Sequence, residues 1–142
     1  MNRSKGLYSI VCVLLILLSW IPALANETAE KKAVEVSNNW LILIDGGGYA
    51  ESWKTAATFF KNAVSKEQWE QSLNIARKPL GKAIKRNVIS KQYTTSLPGA
   101  PDGEYVVIRY ETVFENKKAS IETVTPMIDK DGKWRVSGYY IK

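Results

Sequence analysis

The chain has 142 residues, enough for one domain with a core but not for two. It contains no histidine and a single cysteine, which excludes histidine bases, intrachain disulfides and the usual zinc or copper ligand sets. A formal net charge of +6 points weakly to anionic surfaces and does not argue for nucleic acid as a partner.

Residues 1–25 read as a cleaved export signal. Arg3 and Lys5 give a positive start, and Leu7 to Leu18 is almost wholly apolar. Pro22 breaks the helix before Ala23-Leu24-Ala25, the small-x-small pattern cut by signal peptidase. The apolar run falls short of the ~20 residues that a membrane span needs. The expectation is an exported protein, periplasmic or secreted, that begins at Asn26 and keeps no stable membrane span; a retained anchor is the alternative. Cys12 leaves with the signal, and loss of Arg3 and Lys5 lowers the charge from +6 to +4. Residues 26–142 are expected to form a single domain without thiol or histidine chemistry.

In the remaining chain, residues 26–32 are polar and expected to fray. Ala29, Ala33, Val36, Trp40 and Leu43 then recur at helical spacing, and Trp40 to Ile44 is apolar all round, so that end should be buried on several sides. Gly46, Gly47 and Gly48 stop the helix. Tyr49, Trp53, Ala56, Phe60 and Val64 make the stripe of a second helix. Ser65 and Gln68 form a capping box for a third, with Val64 and Trp69 placed as a hydrophobic staple. Leu73 and Ala76 continue that stripe until Pro79 and Gly81 end it.

Beyond Gly81 the period changes to two. Lys82 to Tyr93, Tyr105 to Glu115, Ser120 to Ile128 and Trp134 to Ile141 read as strands, with turn chemistry between them. Val106, Ile108, Tyr110, Thr112 and Phe114 share one face of the second strand. Pro126 implies an edge position or a bulge. Helices followed by strands predict an α+β fold, N-terminal helices packed on a four-stranded antiparallel sheet.

Four blocks carry a resemblance. They are W-L-x-L-I-D-x-G-x-Y-A-x-S-W (Trp40 to Trp53), R-x-P-L-G-x-x-x-x-R (Arg77 to Arg86), L-P-G-x-P-D-G-x-Y (Leu97 to Tyr105) and G-x-W-R-V-x-G-Y (Gly132 to Tyr139). In this order they resemble the bacterial domain-of-unknown-function family 4019 (DUF4019), over nearly all of the mature chain. That family as a whole implies no activity. The element order also resembles the cystatin-like, or nuclear-transport-factor-2-like, cone, which implies a curved sheet around the helices and often a pocket. Such cones serve isomerases, dehydratases, binding proteins and dimerisation modules, so fold alone leaves function open.

A tentative pocket is drawn from Asp45, Tyr49, Trp53, Arg86, Tyr110, Glu122 and Trp134. Asp45 is either a carboxylate at a pocket mouth, its pKa raised by burial, or a cap for the next helix and the glycine turn. On simple alternation Arg86 lies with Ile84 and Val88, so it needs Glu111 or Glu122 as an internal partner, or an anionic ligand. Arg77, Lys78, Lys82, Lys85, Arg86 and Lys91 form a basic run without an acidic residue, read as a solvated face or an anion-binding one. Tyr49, Trp53, Tyr110, Trp134, Tyr139 and Tyr140 are core aromatics or a pocket lining. Asp129 to Gly132 is a turn rather than a calcium loop.

These residues support three functions. The first is a binding or interaction module for an unknown small ligand or an envelope protein, with no cofactor and no metal. The second is a cofactor-independent enzyme of isomerase or dehydratase type, with Asp45 or Glu122 as base and Tyr49 or Tyr110 as donor. The third is a homodimer through the outer sheet face, with Val107, Val113 and Val124 at its surface.

Overall fold

The computed structural model describes residues 21–142. The expected signal, including Cys12, therefore lies largely outside the described residues. Helix α1 (Ile21–Asp45) runs across the expected cleavage point. Residues 26–32 are helical rather than frayed, in keeping with the helix formers Glu27, Ala29, Glu30, Lys31 and Lys32. Their side chains are mostly exposed, and no described helix is long and apolar enough to cross a membrane.

The buried stripe of α1 is Ala33, Ser37, Trp40, Leu41 and Ile44. It is rotated from the expected one, and Ile42 is 68% exposed, so the end of α1 is not buried all round. The Gly46–Gly48 turn closes the helix through Gly46 N–H to Ile42 O and Gly48 N–H to Leu43 O.

The second stripe does not form one helix. It divides into α2 (Tyr49–Lys54) and α3 (Thr58–Ala63), with Ala57 extended between them. Tertiary bonds outweigh the local pattern here. Ala57 N–H donates to Val136 O at 2.8 Å, and the Thr58 N–H and hydroxyl both donate to Asp129 Oδ2, at 2.9 and 3.0 Å. Helix α4 (Lys66–Ala76) carries the capping box, with Gln68 N–H to Ser65 Oγ at 3.2 Å and Ser65 N–H to Gln68 Oε1 at 3.0 Å. A 3-10 turn (Lys78–Leu80) leads into Gly81 at φ +74°, a backbone that favours glycine.

The strands are β1 (Ala83–Thr94), β2 (Tyr105–Phe114), β3 (Lys117–Ile128) and β4 (Trp134–Ile141). They form one antiparallel sheet in the order β1-β2-β3-β4, and the fold is α+β as the period change implies. The even-numbered residues of β2 face the helices: Val106, Ile108, Tyr110, Thr112 and Phe114 are all buried. Val124 pairs with Ile108 and is fully buried, so it belongs to the core and not to an outer dimer surface. Pro126 sits at a register shift in the inner strand β3, opposite Val136. The Val136 carbonyl faces away from β3 and accepts from the Ala57 N–H. Trp40, Phe60, Trp69 and Tyr139 pack as a chain of tilted and edge-on aromatic contacts between helices and sheet.

Candidate functional site

The most polar part of the interior is a group of two arginines and two carboxylates. Each comes from a different element: Asp45 ends α1, Arg77 caps α4, Arg86 lies on β1 and Glu122 on β3. Glu122 is fully buried, which in isolation would be prohibitive for a charge. Its Oε1 receives Arg86 Nε at 2.7 Å and the Thr112 hydroxyl at 2.6 Å. Its Oε2 receives the Tyr139 hydroxyl at 2.5 Å and Arg86 Nη2 at 3.3 Å. Two donors on each oxygen use its four acceptor sites.

The same guanidinium turns its other edge to Asp45, with Nη1 2.7 Å from Oδ2 and Nη2 2.9 Å from Oδ1. Arg77 adds a bond from Nη2 to Asp45 Oδ1 at 3.1 Å and another from Nη1 to Gly81 O at 2.6 Å. It lies over the Phe114 ring, 4.5 Å from the centroid. The four charges sum to zero. Arg77 Nε and Ser120 Oγ are the buried side-chain atoms left without a partner among the described residues.

Electrostatics follow the geometry. Burial opposes charge on Asp45, but hydrogen bonds and attraction from Arg86 and then Arg77 prevail and hold its pKa below the usual carboxylate value. This is the reverse of the rise expected for a general base. Burial likewise opposes charge on Arg86, yet the bonds to Asp45 and Glu122 push its pKa up. Burial and then the negative charge of Glu122 push the Tyr139 hydroxyl up, so it remains a donor. Asp45, held ionised by two arginines, is a poor proton acceptor.

The expected pocket residues do not converge on one cavity. Asp45 and Tyr49 border an open cleft of about 480 Å³ beside the glycine turn, together with Glu70, Arg77, Lys78 and Glu115. Asp45 thus stands at a mouth, but it does not cap α2, whose N-cap Gly48 has no side-chain bond. The Trp53 indole N–H donates to Val64 O at 2.7 Å. Tyr110 donates to, or accepts from, Ser37 Oγ at 2.9 Å and lies 2.9 Å from Asn38 Oδ1. Trp134 borders a separate, mostly apolar slot of about 240 Å³ with Trp40, Leu43 and Val136. Only Asp45, Arg86 and Glu122 are joined, by direct hydrogen bonds through the Arg86 guanidinium.

Two members of the group were not foreseen. The basic run predicts a solvated or anion-binding Arg77, but the residue is 3% exposed. Its position one turn after the buried Leu73, itself one turn after Trp69, was the available signal. Tyr139, rather than Tyr49 or Tyr110, is the hydroxyl beside the carboxylate; its pairing with Val124 on the inner face was hidden until the register was known. Tyr140, read as a core aromatic, is 60% exposed. The turn acids Asp129 and Asp131 are tied to Thr58 and Arg135. Among the described residues no three acidic side chains are placed to hold a metal ion.

A family model described as "Protein of unknown function (DUF4019)" matches residues 36–139. No curated protein matches the chain.

Proposed function

The chain belongs to the DUF4019 family of proteins of unknown function, and from that premise we propose that it is an exported, non-catalytic interaction module of the cell envelope. The observation that carries this reading is the saturation of Glu122. The one fully buried carboxylate among the described residues has four donors on its two oxygens. A carboxylate bonded in this way holds the elements together and has no lone pair left for a substrate proton. Contacts are then made by the surface: the cleft beside Asp45, the slot beside Trp134 and the margins of the sheet.

Export rests on the leader pattern of residues 1–25, with residues 26–142 as the working domain, periplasmic or secreted. The helices-first order and the register shifts in the sheet agree with a cone of the cystatin type.

The test is native mass spectrometry of the protein purified gently from its exported fraction. A start at Asn26 and no small-molecule adduct, with a protein partner retained after mild cross-linking, supports the reading. A stoichiometric small-molecule adduct that survives desalting overturns it in favour of a ligand carrier.

A further inference from the structure

The two edges of the sheet are treated differently. At β4 the helix joint bonds the sheet margin directly, through Ala57 N–H to Val136 O. Strand β1, the other edge, is 12 residues long, and no described residue pairs with its outer side. Long unguarded edges are uncommon in monomers, because a row of free amide and carbonyl groups recruits another strand.

β1 is also the least covered strand. Val88 and Ile89 are 42% and 50% exposed, and Ile84 at its start is 64% exposed. A register shift between Val88 and Ser90 sets Ile89 out of the ladder. The charge of this segment of the chain is one-sided, although Glu30, Glu104, Glu111 and Glu115 approach it from neighbouring elements. From Arg77 to Pro101 there is no acidic residue. Arg77 and Arg86 are consumed inside, and Lys91 lies 3.9 Å from Glu30. Lys78, Lys82 and Lys85 make no ion pair among the described residues.

We propose that the free edge of β1 docks an extended, acidic segment of a partner protein, which adds as a fifth strand. Main-chain bonds supply the affinity in this mode, and side chains supply the choice of partner. Acidic residues of the segment meet Lys82 and Lys85, and its apolar residues meet Val88 and Ile89. A second copy of this chain is the weaker occupant. An antiparallel pair centred on Val88 sets Lys85 against Lys91. Like charges placed opposite each other oppose pairing.

This inference rests on the interaction reading above, and its test separates the two. The isotope-labelled protein, expressed from its full sequence and purified as exported, is titrated with a capped ten-residue peptide alternating Glu with Val or Thr. A counterpart with Lys for Glu is the control. The expected result is shift changes concentrated in residues 83–94, slowed exchange of β1 amides, and at least tenfold weaker binding of the lysine peptide. The Lys82→Glu/Lys85→Glu variant should lose at least tenfold in affinity for the acidic peptide and gain affinity for the basic one. Equal binding of both peptides, changes centred on the cleft or the outer sheet face, or no binding of either overturns the edge assignment. The interaction reading falls separately, to the small-molecule adduct described above.

Discussion

Arg86 on β1 reaches Glu122 on β3 across the whole width of β2, with Nε 2.7 Å from Oε1. The inner face of the sheet is thus bridged over its central strand, and the side chain of Thr112 on that strand joins the bridge. Removing one partner leaves the other buried and unpaired. Arg86→Ala should therefore lower stability by ~3–5 kcal/mol. A double-mutant cycle with Glu122→Gln should give a coupling energy well above the ~0.5 kcal/mol of independent sites. Equilibrium urea denaturation measures both, and additive losses would show that the bridge is incidental.

Stability should fall on the acid side. The folded pKa of Asp45 is depressed by Arg86 and Arg77 despite its burial. Its contribution is present above the unfolded value of ~3.9 and is lost as pH falls through the lower folded value. Asp129 is depressed as well; burial opposes its charge, and the backbone amides of Thr58 and Lys130 outweigh this. Denaturation curves between pH 2 and 7 should steepen below about pH 4. Asp45→Asn should flatten that slope while lowering stability at pH 7. Tyr139 acts in the opposite direction: its folded pKa is raised, so its contribution is complete below ~10 and is lost as pH rises past that value. Tyr139→Phe should remove part of the alkaline loss.

What was legible in the sequence was what the chain decides locally. The Ser65–Gln68 box, the bulge at Pro126 and the span Trp134–Ile141 depend on neighbours and on backbone chemistry, and each is found. The break at Ala57 was not legible, because the group that enforces it, Asp129, is 71 residues from Thr58. The inward turn of Arg86 could be read from alternation, but the choice of Glu122 over Glu111 needed the register. Glu111 is exposed on the far face of β2. Val124 was misassigned for the same reason: a strand buried on one face has a period but no sign until its neighbour is known.

Asp129 fixes the break between α2 and α3. It accepts two bonds from Thr58 and lies 3.4 Å from Arg135. Asp129→Ala should cost ~1–2 kcal/mol, since it leaves part-buried donors without an acceptor as well as losing a cap. Amide hydrogen exchange should quicken at Ala57 and in α3 before it changes elsewhere. A uniform quickening would mean that the break is set by something other than this carboxylate.

Gly81 should tolerate no side chain. Its φ of +74° with ψ of −154° is a backbone that essentially only glycine adopts, and a Cβ there would lie 2.6 Å from Glu115 Oε2 and 3.0 Å from Glu115 Cβ. The Glu115 carboxylate also accepts from Lys82 N–H, so displacing it loses that bond. Gly81→Ala should destabilise by at least ~2 kcal/mol in thermal or chemical melts, whereas Gly99→Ala, also at positive φ but with open space around it, should cost less. Equal losses would mean that backbone strain alone acts at both sites.

On the proposed export route, the order in which the interior charges leave a secretion pore also matters. Asp45 comes first, followed by Arg77 and Arg86, and Glu122 only when 20 residues remain behind it. On that route a chain threaded amino end first carries one arginine without its counter-ion over the 36 residues from Arg86 to Glu122. The aromatic layer can begin to gather in that interval, but it cannot close over a bare guanidinium. Completion is postponed until β3 has emerged, so a chain stalled before that point should stay open to chaperones and proteases. On that route the neutral quartet would act as a late checkpoint on whether the whole protein has come through.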